Sequence, residues 1–152
     1  MVSEVSIVLR ILFSAVLGGL IGLEREVHRH EAGLRTHILV CLGSTLIMLT
    51  SLYVFDIYRD IGPVDPSRIA SNVVTGIGFI GAGAIIRYGG SIKGLTTAAS
   101  LWITSAVGLA IGCGFYLAAF FTTLITISAL LFLRNLEKVL VGKKEVEYGD
   151  KE

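Results

Sequence analysis

Long apolar runs alternate with short charged segments along this chain, and the alternation predicts helices of one kind. Five runs stand out, from about Val5 to Leu23, Ile38 to Phe55, Ile69 to Ile86, Leu95 to Ile111 and Phe115 to Leu133. Each holds roughly seventeen to twenty residues, the length an α-helix needs to cross the hydrocarbon core of a bilayer. The charges collect between them, in EREVHRHEAGLRT after the first run, DIYRDIGPVDPSR after the second and RYGGSIK after the third. The expected architecture is an all-α integral membrane protein, a compact bundle of five transmembrane helices in residues 1–133 with a short charged tail over 134–152. The first run is too long, and too closely followed by others, for a cleaved signal peptide, and is expected to stay.

Composition fits this pattern. Of 152 residues, 53% are hydrophobic and 16% charged, where a soluble domain has about a quarter charged; mean hydropathy is +0.77. A net charge of +1 gives no bulk electrostatic case for nucleic acid. Placement says more. In a five-span topology Arg25, Arg29, Arg35, Arg87, Lys93 and the tail residues Arg134, Lys138, Lys143, Lys144 and Lys151 share one side, while Arg10, Arg59 and Arg68 fall on the other. The positive-inside rule then puts the amino end outside and the carboxyl end in the cytoplasm. Cys41 and Cys113 lie at opposite ends of the bilayer, beyond the ~7 Å Cα separation that a disulfide tolerates.

Small residues repeat where helices are expected to meet, since lipid gives helices no hydrophobic reason to associate and backbones approach through small side chains. Ser14, Gly18 and Gly22 form one ladder; Thr96, Ser100, Thr104, Gly108 and Gly112 form another. Gly76, Gly78, Gly81 and Gly83 are denser and spread around the third helix. Two readings of them stay open: close packing at the bundle centre, or an unwound segment whose backbone lines a site near Asn72 and Thr75. The literal G-x-G-x-x-G at Gly76, Gly78 and Gly81 is no dinucleotide fingerprint, because no acidic residue occurs between Asp65 and Glu137 to hold a ribose. Trp102, near the middle of the fourth run, is expected to find an acceptor for its indole N–H inside the bundle. Arg10 is expected to snorkel outward or to pair with Asp56, Asp60 or Asp65.

Glu24, Arg25, Arg35 and Arg87 fall at the cytoplasmic ends of spans one to three, an ion-paired cluster that either fixes helix ends or presents a basic site to an anion or protein. His28 and His30 with Glu26 or Glu31 have metal-ligand chemistry, but histidines two apart point to different faces of a helix, so no metal site and no cofactor is expected. No serine or cysteine in the spans has a histidine at its expected depth, and no carboxylates pair there, so no enzyme activity is expected. Acidic residues are absent from the runs themselves, which argues against a cation pump, while a passive path lined by carbonyls, Asn72 and threonines stays open.

Taken together, GGLIGLERE at Gly18 to Glu26, AGLRTHILVCLG at Ala32 to Gly43, RIASNVVTGIGFIGAGAIIR at Arg68 to Arg87 and GLTTAASLW at Gly94 to Trp102 resemble, in order and spacing, the MgtC/SapB family of bacterial membrane proteins. The likeness covers about Leu17 to Leu133. It implies a multi-pass protein of the bacterial cytoplasmic (inner) membrane, linked to growth under magnesium limitation and, in pathogens, to virulence and survival inside host cells. It further implies a small regulator that binds other integral membrane proteins, such as ATP synthase or a phosphate-sensing kinase. From the residues themselves, an exposed remnant of the small-residue ladders is expected to dock onto another membrane protein or a second copy of the chain, and the rival is a small channel or carrier for magnesium or another ion through the glycine-rich third helix. No G-x-x-x-x-G-K-[ST] loop for an ATPase is present. Glu24, Arg25, Gly33, Arg35, Arg68, Gly76, Gly78, Gly81, Gly83, Arg87, Gly94, Thr97 and Trp102 match family-typical positions. With Asn72, the residues Glu24, Arg25, Arg35, Arg68, Arg87, Thr97 and Trp102 are the candidate partner- or ion-binding set; Ser14, Gly18, Gly22, Gly76, Gly78, Gly81, Gly83 and Gly108 are the candidate packing set. Virulence-associated members carry a soluble ACT-like domain where this sequence has 134–152. There Leu136, Val139 and Leu140 are expected to lay an apolar stripe on the membrane before Gly142 ends the helix. Thr96 and Ile103 stand where some of those members carry Asn and Cys, so their particular partners do not carry over by motif.

Overall fold

Each apolar run becomes a helix in the computed structural model, which describes residues 2–88 and 91–149, with side chains over 2–87 and 91–133. The helices are α1 (Glu4–Val27), α2 (Leu34–Tyr58), α3 (Ser67–Ala84), α4 (Leu95–Cys113) and α5 (Tyr116–Gly149). Between α3 and α4 the expected polar turn is a small antiparallel hairpin, β1 (Ile86–Tyr88) and β2 (Ser91–Lys93), pairing Ile86 with Lys93 and Arg87 with Ile92. Among the described residues, α1, α2, α4 and the Tyr116–Leu133 part of α5 are long and apolar enough to cross a membrane. Helix α3 is also 18 residues long but falls outside that group, its apolar run diluted by Arg68, Asn72 and four glycines.

Helix ends follow from local chemistry. Ser3 Oγ accepts from the Ser6 N–H and starts α1. At its other end Arg29 takes the left-handed conformation, φ 56°, while the His30 N–H reaches back to the Arg25 carbonyl and the Arg29 N–H to that of Glu26. This closing turn usually falls to glycine or asparagine. Glu26 then caps the next helix, its carboxylate accepting the Leu34 N–H at 3.0 Å. Asp65 opens α3 by accepting both the backbone N–H and the hydroxyl of Ser67. Gly94, φ 87°, turns the hairpin into α4, where a Cβ would collide with the Ala84 carbonyl. Gly114, φ 90°, ends α4, and the Phe115 N–H bonds back to Ala110 at 2.8 Å.

Helices α1, α2 and α4 form the core, with α3 laid against α4 and α2, and α5 against α4 and α1. The core is close because it is glycine-lined. A Cβ on Gly18 would come within 2.6 Å of Cys41 Cβ, on Gly22 within 2.8 Å of Leu34 Cα, and on Gly108 within 2.7 Å of Ser44 Cβ. Gly112 belongs to the same seam, its Cβ position 2.8 Å from the Thr45 carbonyl. At that approach Thr45 Oγ donates to the Gly108 carbonyl across the α2–α4 contact, at 2.8 Å. Leu17, Cys41, Val107, Ile111 and Ala119 fill one apolar cluster, and Ala32, Ile77 and Leu101 another. Buried hydroxyls of Ser14, Thr45, Ser51 and Thr104 occupy much of the remainder.

Several expectations change. The third helix runs unbroken through its glycines, so no unwound segment forms. Gly76, Gly78 and Gly83 do not pack at the bundle centre: a Cβ at each meets nothing within 4 Å, because α3 lies at an edge. Gly81 alone of the four touches a neighbour, its Cβ position 3.5 Å from Ala98 Cβ. Trp102 is 51% exposed on the outer side of α4, beside Ile103 and Ile125, not inside the bundle. Arg10 turns inward across α1, donating Nη1 to the Gly112 carbonyl at 2.7 Å and Nε to the Tyr116 hydroxyl at 2.9 Å. A cation at the carbonyl end of α4 is where the helix dipole favours it. Helix α5 continues through Gly142 to Gly149; the stripe of Leu136, Val139 and Leu140 lies outside the described side chains.

Candidate functional site

Two places collect the candidate residues. The first is the end of the core where α1 finishes and α2 and α4 begin. Glu24 and Arg25 sit on the last turns of α1 and are 8% and 2% exposed, buried because α1 extends beyond its apolar run and packs against both neighbours. Arg25 Nη2 donates to Thr97 Oγ on α4 at 3.3 Å, and Arg25 Nη1 stands 3.8 Å from Glu24 Oε2. His28 brings Nδ1 to 2.8 Å from the Glu24 carbonyl and 3.0 Å from its Oε1. Neither Glu24 carboxylate oxygen receives an aligned hydrogen bond among the described residues, so the carboxylate is held by the charges beside it.

Next to this pair, His37 is fully buried on the first turn of α2. Its Nδ1 lies 2.9 Å from the Gly33 carbonyl, which needs a donor, so Nδ1 carries the proton and Nε2 faces Ser100 Oγ at 3.1 Å. The one proton of the Ser100 hydroxyl then has two acceptors, His37 Nε2 and the Thr97 carbonyl at 2.8 Å. The expectation that no serine meets a histidine at depth therefore fails: these two are 63 positions apart and bonded. The pair ties α2 to α4. Its imidazole is oriented by a backbone carbonyl instead of a carboxylate, and Ser100 is only 3% exposed.

The structure thus unites Glu24, Arg25 and Thr97, and places His28, His37 and Ser100 beside them, a grouping that residue patterns alone did not predict. Arg35 and Arg87 do not join them. Both are exposed, Arg35 on the outer side of α2 and Arg87 on the hairpin, so the expected four-residue cytoplasmic face is a buried pair with two separate surface cations. Arg68 lies at the start of α3, the opposite end of the bundle. A burial signal for His37 was available: Gly18 and Gly22 recur at the spacing that brings α2 onto α1, and a Cβ on Gly22 would stand 2.9 Å from His37 Cβ.

The second place is the outer edge formed by α3 and α2. Ser71, Asn72, Thr75, Gly76, Gly78, Phe79 and Gly83 are all exposed there or open. A groove of about 550 Å³ runs beside them between the two helices, with Leu39 and Ile47 on one wall, Ile77 and Ile80 on the other, and Gly43 and Gly76 opening its floor. By contrast, the exposed faces of α1 and α5 are apolar: Val8, Leu12, Val16 and Leu20 on one, Leu117, Phe121, Leu124 and Phe132 on the other.

Helices of this length and outer faces this apolar define a helical membrane protein. The MgtC family model matches residues 11–139, and the chain belongs to the MgtC family. It is 43% identical over 138 residues, 90% of its length, to YhiD of Escherichia coli strain K12, provisionally named a magnesium transporter. It is 40% identical over 128 residues to Protein MgtC of Salmonella typhimurium strain LT2, and 42% identical over 125 residues to Protein MgtC of Brucella abortus strain 2308. These matches cover 84% and 82% of this chain. The chain spans 64% of YhiD and about half of the two MgtC proteins. No solved structure matches it.

Proposed function

We propose that this protein is a five-span regulator of the bacterial inner membrane that works by binding other membrane proteins, through the α3 edge, without catalysing a reaction. The observation that carries the reading is the contrast between outer faces. Where α1 and α5 offer aliphatic and aromatic side chains to lipid, α3 offers Ser71, Asn72 and Thr75 together with glycines that touch nothing. At 18 residues α3 is about 27 Å long, close to the ~30 Å hydrocarbon core, so these polar groups lie at membrane depth. The Ser71 hydroxyl already donates to the Arg68 carbonyl at 2.8 Å, but acyl chains offer no hydrogen-bond partner to an amide such as that of Asn72, whereas a packed protein neighbour supplies one. The names of the relatives support a link to magnesium physiology, and the positive-inside distribution supports an outside amino end.

Crosslinked recovery from native membranes tests this reading. Asn72→Leu and Gly76→Leu should remove co-purifying membrane proteins at unchanged expression, and Val16→Ala on the lipid face of α1 should not. Equal recovery from all three variants would sink it. A channel or carrier is the second reading, favoured by the α2–α3 groove with Thr36, Ser44 and Asn72 on its walls. Selective flux of magnesium, potassium, protons or phosphate into liposomes, abolished by Asn72→Leu, would replace binding by transport.

A further inference from the structure

Asn72, Gly76, Phe79 and Gly83 follow one another at intervals of four, three and four residues, so they form a single seam with a seven-residue period along the exposed side of α3. Phe79 is 80% exposed, the most exposed large apolar side chain among the described residues. The glycines on either side of it along the seam are both open, with no atom within 4 Å of a Cβ. A protruding ring between two open positions is a knob beside holes of its own. We propose that this seam is a self-association surface: two copies pack α3 against α3 in parallel, about a twofold axis along the membrane normal. Phe79 of each copy enters the depression at Gly76 and the α2–α3 groove of the other. The proposal rests on α3 lying in the membrane and names the partner that its edge fits.

Three features select a second copy over another occupant. A twofold contact requires that the same patch serve as knob and hole, and Phe79 and Gly76 lie on adjacent lines of one helix, about 60° apart at 100° per residue. The seam carries no charge between Arg68 and Arg87 at the two ends of the run, so like surfaces meet without repulsion. Asn72 both donates and accepts, and an amide on a parallel seam is satisfied by the same amide across the axis, which also fixes register. Two copies inserted the same way in one membrane meet in parallel, as this pairing needs. An acyl chain would fill the groove but leave the Asn72 amide without a partner.

The test uses the full chain in native membranes, with Cys113→Ser removing the exposed thiol and the buried Cys41 retained. Gly83→Cys, on the seam, should form a disulfide-linked dimer on mild oxidation, and Val16→Cys, on the lipid face of α1, should not. Adding Gly76→Leu or Phe79→Ala to Gly83→Cys should cut the crosslinked fraction about tenfold, as for the central residue of an interface. Because the Gly76 Cβ position is open within one copy, Gly76→Leu should leave the thermal melt of the detergent-solubilised protein unchanged, which separates lost pairing from lost folding. Equal crosslinking at Val16 and Gly83, or crosslinking indifferent to both seam changes, overturns self-association. If the seam variants lose a different membrane protein while no dimer forms, self-association falls and the binding reading stands; if they lose neither, both fall.

Discussion

Arg25 is the side chain whose removal should cost most. It is 2% exposed, bonded to Thr97 on α4 and 3.8 Å from the buried Glu24 carboxylate. Breaking a buried charge pair from one side costs about 3–5 kcal/mol, because the other charge stays buried without compensation. Arg25→Leu should therefore lower the unfolding midpoint in detergent far more than Arg35→Leu, whose side chain is exposed. Adding Glu24→Gln to Arg25→Leu should restore part of the loss, since the stranded charge is then gone; a double variant no more stable than Arg25→Leu would show that charge is not what the pair contributes. Thr97→Val removes one hydrogen bond to that buried cation and should cost about 1.5–3 kcal/mol. The sequence pattern marked Glu24, Arg25 and Thr97 but missed His37 and Ser100. A histidine in a charged loop reads as solvated, and nothing local says that α2 begins four residues before the apolar run, carrying His37 into the core.

At the level of elements, glycine spacing matters more than glycine number. Gly18, Gly22, Gly108 and Gly112 stand four apart in pairs and face backbone, while the crowded Gly76, Gly78 and Gly83 face open space. Gly108→Ala should accordingly cost about 1–3 kcal/mol by overpacking against α2, while Gly78→Ala should be neutral or gain up to about 1 kcal/mol from helix propensity. Paired melts in detergent check this, and equal losses would contradict the packing. The ladders on the first and fourth runs could be read from sequence because four-residue spacing keeps one face of a helix. The orientation of α3 could not, because glycines distributed around a helix do not say which side meets a neighbour. The start of α3 is set by Asp65, whose carboxyl is held below the usual carboxylate range, chiefly by the Ser67 hydroxyl and then by the Ser67 N–H. A lowered folded value means that the cap contributes fully above the ordinary carboxylate pKa of about 3.9 and is lost as pH falls through the folded value. Hydrogen exchange at the Ser67 amide should stay slow, after correction for intrinsic rates, down to about pH 4 and quicken below it. Asp65→Ala should show the quick exchange at every pH, and an acid-independent wild type would refute the cap.

For the whole molecule, the same tight packing that buries Arg25 argues where a solute does not pass. The α1–α2–α4 core brings backbones together at Gly18, Gly22 and Gly108, and its hydroxyls bond to carbonyls, as Thr45 does to Gly108 and Thr104 to Ser100. Any partner or path must use the edges, and which edge faces which compartment depends on orientation. The core fixes the relative sense of the helices: Arg10 meets the end of α4 at Gly112, and Arg25 meets its beginning at Thr97. In the proposed orientation, with the basic loops inside, Cys113 at the end of α4 would lie outside and the hairpin in the cytoplasm. Cys113 is exposed and Cys41 is buried, so the native chain already carries one reporter and one silent thiol. A membrane-impermeant maleimide should label Cys113 in intact spheroplasts. Lys93→Cys, placed in a Cys113→Ser chain, should be labelled only after the membrane is opened. The reverse pattern would put Arg87 and Lys93 on the outer surface, through inversion of the whole topology or through failure of α3 alone to cross. Labelling of both positions in sealed spheroplasts would mean that α4, the helix between them, does not cross, whereas labelling of Lys93→Cys alone is also what loss of α3 from the bilayer would give, since its run is the one diluted by Arg68, Asn72 and glycine.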